Sequence, residues 1–213
     1  MMITLGIDEA GRGPLIGPMV IAGCSFEEKD LLKLKELGVK DSKQLSVRSR
    51  EKLYHAILNL AKGYRIYIVS PKEIDDAVSS KLKITGLEAQ YMAKIISEIY
   101  ADEIYIDSPM RDAARFLNML KKYLGKEYNI ICEIKADETY IQVSAASILA
   151  KVTRDKEIKF LQEKYGDFGS GYPSDPRTVE FIKHCIEKNE LPMEVRRTWK
   201  SLKRISETRL TDF

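Results

Sequence analysis

The sequence predicts an α/β fold: a sheet of mixed strand directions with helices against it, followed by a helical C-terminal part. Three observations lead there. Two apolar runs, residues 3–9 and 18–26, follow one another with only a glycine-rich break between them. From about residue 64 to 164, short runs rich in β-branched and aromatic residues alternate with amphipathic stretches. Beyond residue 164 the patterns are helical only. No repeat, low-complexity stretch or linker interrupts the 213 residues, so one unit is expected.

Taken in order, residues 3–9 (ITLGIDE) alternate as a strand and are broken by Gly11-Arg12-Gly13-Pro14. Residues 18–26 (PMVIAGCSF) form a second apolar strand, so the glycines turn an antiparallel pair. A short charged helix is expected at about 27–37, then the loop VKDSKQLS. Ser46 is placed to cap a helix running to about Ala61, with Leu53, Ile57, Leu60 and Ala61 on one face. A strand follows at 64–70, and Ser70-Pro71-Lys72-Glu73 has the form of a capping box with proline at the first helical position. Thr85-Gly86-Leu87-Glu88 repeats that pattern ahead of a helix to about Tyr100. Residues 102–107 (DEIYID) are a strand ending on an aspartate, after which Ser108-Pro109 starts a helix that Gly125 closes. Residues 129–137 (NIICEIKAD) are again a strand ending on an aspartate. A long helix at about 140–164 carries the small residues Ala145, Ala146, Ser147 and Ala150.

Composition excludes several classes of function. Hydrophobic residues are 44% and charged residues 31%, enough apolar content for a sizeable core. No apolar run approaches the roughly 20 residues that span a bilayer. The start MMITLGIDEA has neither the basic residues nor the apolar stretch of a signal peptide, so a soluble cytoplasmic protein is expected. Cys24, Cys132 and Cys185 lie far apart and form no CxxC pair, which argues for packing rather than disulfides or zinc. The only histidines, His55 and His184, fall in helical patterns, so any metal must be held by oxygen. A net charge of +3 is too small to argue nucleic-acid binding by itself.

The chemistry gathers where strands end. Asp8-Glu9, Asp107 and Asp137 each close a predicted strand, and active sites of open α/β sheets lie beyond strand ends. One such aspartate is usually a turn former or helix cap. Several converging on one rim repel, and burying them together is costly without a cation. Mg²⁺ or Mn²⁺ suits such a donor set, and a pair of ions roughly 4 Å apart serves phosphoryl displacement. Neighbouring strand residues point to opposite faces, so Asp8 and Glu9 share a site only if the strand bends, which Gly11 would permit.

Other segments carry weaker signals. GRGPLIG is not the GxGxxG of a dinucleotide site and leads into a strand, with no helix start to hold pyrophosphate. Its glycines still let backbone amides approach a ligand, and Arg12 suits phosphate. Lys43 sits in a loop between helices, where a solvated lysine is the plain alternative. The punctuated loop at 169–175 carries Tyr172, able to stack on a sugar or base or simply to close the fold. Arg196, Arg197, Lys200, Lys203, Arg204 and Arg209 surround Trp199 against the single acid Glu207; this is either a solvated face or a phosphate-backbone contact.

Taken together, GIDEAGRGPLIGPMV, VKDSKQLS, YIDSP, KADETY followed by VSAASILAKVTRD, and DFGSGYPSDPRT resemble ribonuclease HII, the archaeal and bacterial type 2 ribonuclease H. The blocks span about residues 3–205 in that family's order. The resemblance implies a ribonuclease H-like fold with a central five-stranded mixed sheet, flanking helices and a helical C-terminal extension. It implies one catalytic domain over 1–205, with an α/β core to about 164, a helical part from about 165, and a tail at 206–213. It further implies a monomer that hydrolyses the RNA strand of RNA/DNA hybrids and cuts 5′ of a single ribonucleotide in duplex DNA, leaving 3′-hydroxyl and 5′-phosphate ends. By motif position, Asp8, Glu9, Asp107 and Asp137 are then the metal-binding carboxylates, with Asp8 bridging two Mg²⁺ or Mn²⁺ ions. Gly11, Arg12 and Gly13 would read 2′-hydroxyls, Tyr172 would sense the RNA–DNA junction, and Lys43 would lie near the scissile phosphate. Archaeal relatives often end in a sliding-clamp motif. Here Leu210 and Phe213 fit it, but Glu207 replaces the expected Gln and the second aromatic is missing. Fold alone leaves junction resolvases and sugar-kinase-like ATPases as rivals. The chain is too short for an ATPase's second domain, a resolvase needs no junction-reading turn, and a non-catalytic hybrid-binding module needs no four acids.

Overall fold

The computed structural model describes residues 2–39 and 46–207. Lys43, Arg209, Leu210 and Phe213 lie outside the described residues. Five strands form one sheet: β1 (Ile3–Ala10), β2 (Met19–Glu27), β3 (Gly63–Val69), β4 (Glu103–Asp107) and β5 (Ile130–Glu133), in the order β3-β2-β1-β4-β5. The β1–β2 and β2–β3 pairs are antiparallel, whereas β1–β4 and β4–β5 are parallel, so the sheet is mixed as expected. The central strand β1 is buried on both sides.

Alternation along β1 sorts its side chains between two cores. Leu5 and Ile7 pack with α3 (Pro71–Ser79), α4 (Lys83–Glu98) and α5 (Ala113–Lys121). The opposite face packs against α1 (Glu28–Glu36), α2 (Val47–Leu60) and the long helix α7 (Ile141–Tyr165). Small residues explain the close approach of α7: its first ten residues are almost all buried, and a Cβ on Gly6 of β1 would collide with the Gln142 carbonyl. A third core, Leu15, Ile16, Ile158, Leu161, Phe168, Ile182, Val195 and Leu202, binds α8 (Pro176–Glu187) and α9 (Lys200–Glu207) to the end of α7.

Helix caps follow the sequence at two starts and depart from it at two starts and one end, since α5 is closed by Lys122 and not by Gly125. Ser46 accepts from Ser49 N, and Ser70 and Glu73 form the full capping box of α3. The helix expected to start at Thr85 begins instead at Lys83, with no side-chain cap. Glu88 is unavailable for a box because it accepts a charge-assisted bond from Arg12 Nε at 2.7 Å. The helix expected at Ser108 starts only at Ala113, where Asp112 accepts from Arg115 N; Ser108 instead bonds Met110 in a turn. The last strand also differs from expectation. It ends at Glu133, Lys135 turns the chain through a left-handed conformation (φ 59°), and Asp137 stands on the short helix α6 (Ala136–Thr139). Among the described residues no helix is long and apolar enough to cross a membrane.

Candidate active site

Parallel pairing of β1 with β4 aligns Ile7 with Ile106, so the next residues, Asp8 and Asp107, end up side by side. Asp107 Oδ1 accepts from Ala136 N at 3.2 Å, which draws the start of α6 to the same point and brings Asp137 in. Carboxylate oxygens of Asp8, Asp107 and Asp137 all lie within 4.8 Å of one another. Glu9 is not in that group. β1 stays in register through Ala10, so the backbone directs Glu9 to the face opposite Asp8, yet Asp8 and Asp107 both raise its carboxyl, so its charge lies within reach of theirs.

The electrostatics match a site built for a cation. Burial, and after it Asp107, push Asp8 up to about 7, against the opposing pull of Lys151 and the Glu9 amide. Burial, then Asp8, Glu88 and Asp107, also hold Glu9 well above the usual carboxylate range, with Arg12 opposing. Burial raises Glu88 to about 7 despite its Arg12 partner. Three clustered all-oxygen donors whose charges oppose each other fit a hard divalent ion such as Mg²⁺ or Mn²⁺.

Beside the carboxylates lies a pocket of about 440 Å³, bordered by Glu9, the 11–13 turn, Tyr172 and the basic residues Arg50, Lys151 and Arg154. Gly11 has φ +81°, and the Arg154 side chain fills the space a Cβ would need. The Arg154 guanidinium lies 5.0 Å from the Tyr172 ring and donates through Nη2 to Ser170 O at 3.1 Å. Leu15 N donates to Gly171 O at 2.7 Å, which ties the Tyr172 loop to the glycine turn.

Residues 5–202 match the family model of ribonuclease HII. The chain belongs to the ribonuclease HII family. Ribonuclease HII of Pyrococcus horikoshii is 46% identical over 209 residues, covering 97% of this chain and 94% of that protein. The crystal structure of the ribonuclease H2 from Pyrococcus horikoshii OT3 superposes with a TM-score of 0.90 at 44% identity, covering 99% of this chain and all of that one. A ribonuclease HII from Archaeoglobus fulgidus, solved as a PCNA complex, gives a TM-score of 0.86 at 42% identity over 94% of this chain and 96% of that one. The expected ribonuclease H-like fold is therefore confirmed. As a ribonuclease HII, the protein is a metal-dependent endonuclease.

Of the residues singled out in the sequence, this ribonuclease HII brings Asp8, Asp107 and Asp137 together and sets Gly11, Arg12, Gly13 and Tyr172 around the adjoining pocket. The basic C-terminal cluster is divided. Arg196 is fully buried, so it serves neither as a solvated face nor as a phosphate contact. Its guanidinium bonds backbone carbonyls, and burial together with nearby Arg154 pulls it down to about 9. Sequence reasoning missed Glu88, Arg50, Lys151 and Arg154. For Arg154 a signal was available, a charge on the face of α7 that otherwise buries Ile158 and Leu161.

Proposed function

We propose that this ribonuclease HII hydrolyses the RNA strand of RNA/DNA hybrids and cuts 5′ of single ribonucleotides in duplex DNA, leaving 3′-hydroxyl and 5′-phosphate ends. The observation that carries this reading is that Glu9 and Lys151, whose charges interact with Asp8 of the three-carboxylate cluster, line the pocket framed by the 11–13 turn and Tyr172. Asp8, Asp107 and Asp137 would hold Mg²⁺ or Mn²⁺, with Glu9 completing the donor set. Two such ions, when bound, activate the attacking water and stabilise the leaving oxygen.

The chain's own groups supply position and specificity. A 2′-hydroxyl is the local difference between RNA and DNA, and the backbone of Gly11, Arg12 and Gly13 together with the Tyr172 hydroxyl reads it. Arg50, Lys151 and Arg154 offset the phosphate charge along the pocket, and Lys43 serves the scissile phosphate. The cellular roles that follow are RNA primer removal and ribonucleotide excision repair, carried out by a monomer whose catalytic domain spans residues 1–205.

The assay is direct: purified protein with Mg²⁺ or Mn²⁺ on duplex DNA holding one ribonucleotide, with a single cut 5′ of that nucleotide expected. An intact substrate with both ions rejects the reading. The tail, through Glu207, Leu210 and Phe213, binds a sliding clamp; the PCNA complex of the Archaeoglobus relative supports this. Removal of residues 207–213 is expected to abolish clamp binding, and undiminished binding rejects that role.

A further inference from the structure

Arg196 has the largest fully buried side chain among the described residues, and its guanidinium bonds go to backbone carbonyls. Nη2 donates to Gly11 O at 2.6 Å and to Gly17 O at 2.9 Å, Nη1 to Arg12 O at 2.8 Å, and Nε to Gly17 O at 3.1 Å. The guanidinium carbon lies 5.0 Å from the centre of the Trp199 ring, and Trp199 Nε1 donates to Gly13 O at 3.2 Å. Two side chains of one C-terminal segment thus hold the three successive carbonyls of residues 11, 12 and 13.

The segment is itself fixed at both ends. Gly17 N donates to Glu194 O at 2.9 Å and Arg196 N to Leu15 O at 2.8 Å. Asp75 on α3 accepts from Arg197 N at 2.7 Å, from Thr198 N at 3.0 Å and from the Thr198 hydroxyl at 2.6 Å. On the other side of the turn, Arg154 fills the place a Gly11 side chain would take.

A trans peptide is planar, with its C=O and N–H on opposite sides. Holding Gly11 O and Arg12 O therefore turns the N–H groups of Arg12 and Gly13 the other way, and neither finds an acceptor among the described residues. A buried, isolated charge is an expensive way to gain stability, and an apolar side chain would fill the space more cheaply. What only a guanidinium fork provides is several carbonyl bonds in fixed relative directions.

We propose that Arg196 and Trp199 are positioning residues for ribonucleotide recognition, clamping the carbonyls of the 11–13 turn so that its amides stay aimed at a 2′-hydroxyl. This deepens the reading of the turn given above and rests on it. One hydroxyl in an otherwise deoxy duplex allows one productive register, so a loosened turn costs most there. A continuous hybrid offers a 2′-hydroxyl in every register and tolerates the loss better.

The test compares kcat and KM of Arg196→Lys and Trp199→Phe on duplex DNA with one ribonucleotide and on a continuous RNA/DNA hybrid, with melting temperatures alongside. Arg196→Lys is expected to lower kcat/KM roughly ten- to a hundredfold on the first substrate, mainly through KM, and no more than about threefold on the second. Trp199→Phe keeps a smaller aromatic ring and loses the N–H, so the same bias is expected at roughly three- to tenfold. Equal losses on the two substrates, or no change in their ratio, overturn the proposal. If Arg196→Lys does not fold, the ratio for Trp199→Phe decides alone. Wild-type protein run in parallel separates the two ideas: if it leaves the single-ribonucleotide duplex intact, the functional reading fails and the clamp fails with it. If it cuts while the variant ratios stay put, only the clamp is wrong.

Discussion

The acidic cluster and the glycine turn adjoin one pocket but are held together in opposite ways. Asp8, Asp107 and Asp137 are gathered by strand register and by one bond from Ala136 N, and their charges oppose one another. The turn is gripped by donors that its own chain supplies, Arg196 and Trp199. One half is arranged at the expense of stability and needs a cation from outside. The other half uses a buried guanidinium and an indole N–H of its own to fix backbone direction. The difference is between a cluster whose mutually opposing charges a cation would offset and a turn whose carbonyls are already held in fixed directions.

The strongest way to break this contrast is Asp8→Asn. Cleavage is expected to fall at least roughly a thousandfold with either ion, because one of the three clustered carboxylates is gone. Stability should move the other way. Asp8 titrates near 7 when folded and near the ordinary 3.8 when unfolded. Between those values the folded state holds the extra proton, so metal-free stability falls as pH rises from about 4 through 7 and then levels. Asn removes that penalty, on the order of a few kcal/mol at pH 8, and should raise the metal-free melting temperature. Retained cleavage, or a lower melting temperature at pH 8, contradicts the assignment.

The same titration sharpens the comparison in the wild-type protein. Proton and ion compete for Asp8, so Mn²⁺ affinity by calorimetry is expected to rise about tenfold per pH unit from 5 to about 7, then flatten. A flat profile across that range would mean that Asp8 gives up no proton on loading. On the recognition side, Tyr172→Phe removes one hydroxyl. Its expected loss is roughly three- to tenfold on a single-ribonucleotide duplex and smaller on a long hybrid. Equal losses would remove Tyr172 from junction sensing. The smallest effect is expected outside both regions. Ser70→Ala breaks the capping box of α3 and should cost about 1 kcal/mol in denaturant unfolding, with the ratio of activities on the two substrates unchanged. A changed ratio would show that α3, which carries Asp75, transmits cap strength to the turn.

Local signals read well where local physics decides the outcome. Alternation in residues 3–9 and 18–26 gave an antiparallel pair that the structure contains, and Ser46 and Ser70 cap the helices they precede. Thr85-Gly86-Leu87-Glu88 misled because Glu88 finds Arg12 across the fold, 76 residues away, and a buried charged bond outweighs a local cap. Asp137 was legible as an acid but not as a helix residue, since the chain leaves the strand at Glu133 and reverses at Lys135.

By itself the sequence determined the class of fold, the acids at the strand ends and the family, because these depend on residue type, short-range periodicity and ordered motifs. Only the tertiary structure decided that Asp137 reaches the cluster from a short helix, and that Arg196 belongs to the interior. Both outcomes depend on contacts between segments distant in the chain. Where a charge ends up depends on which partner the packed fold brings to it, and neighbours in sequence do not encode that.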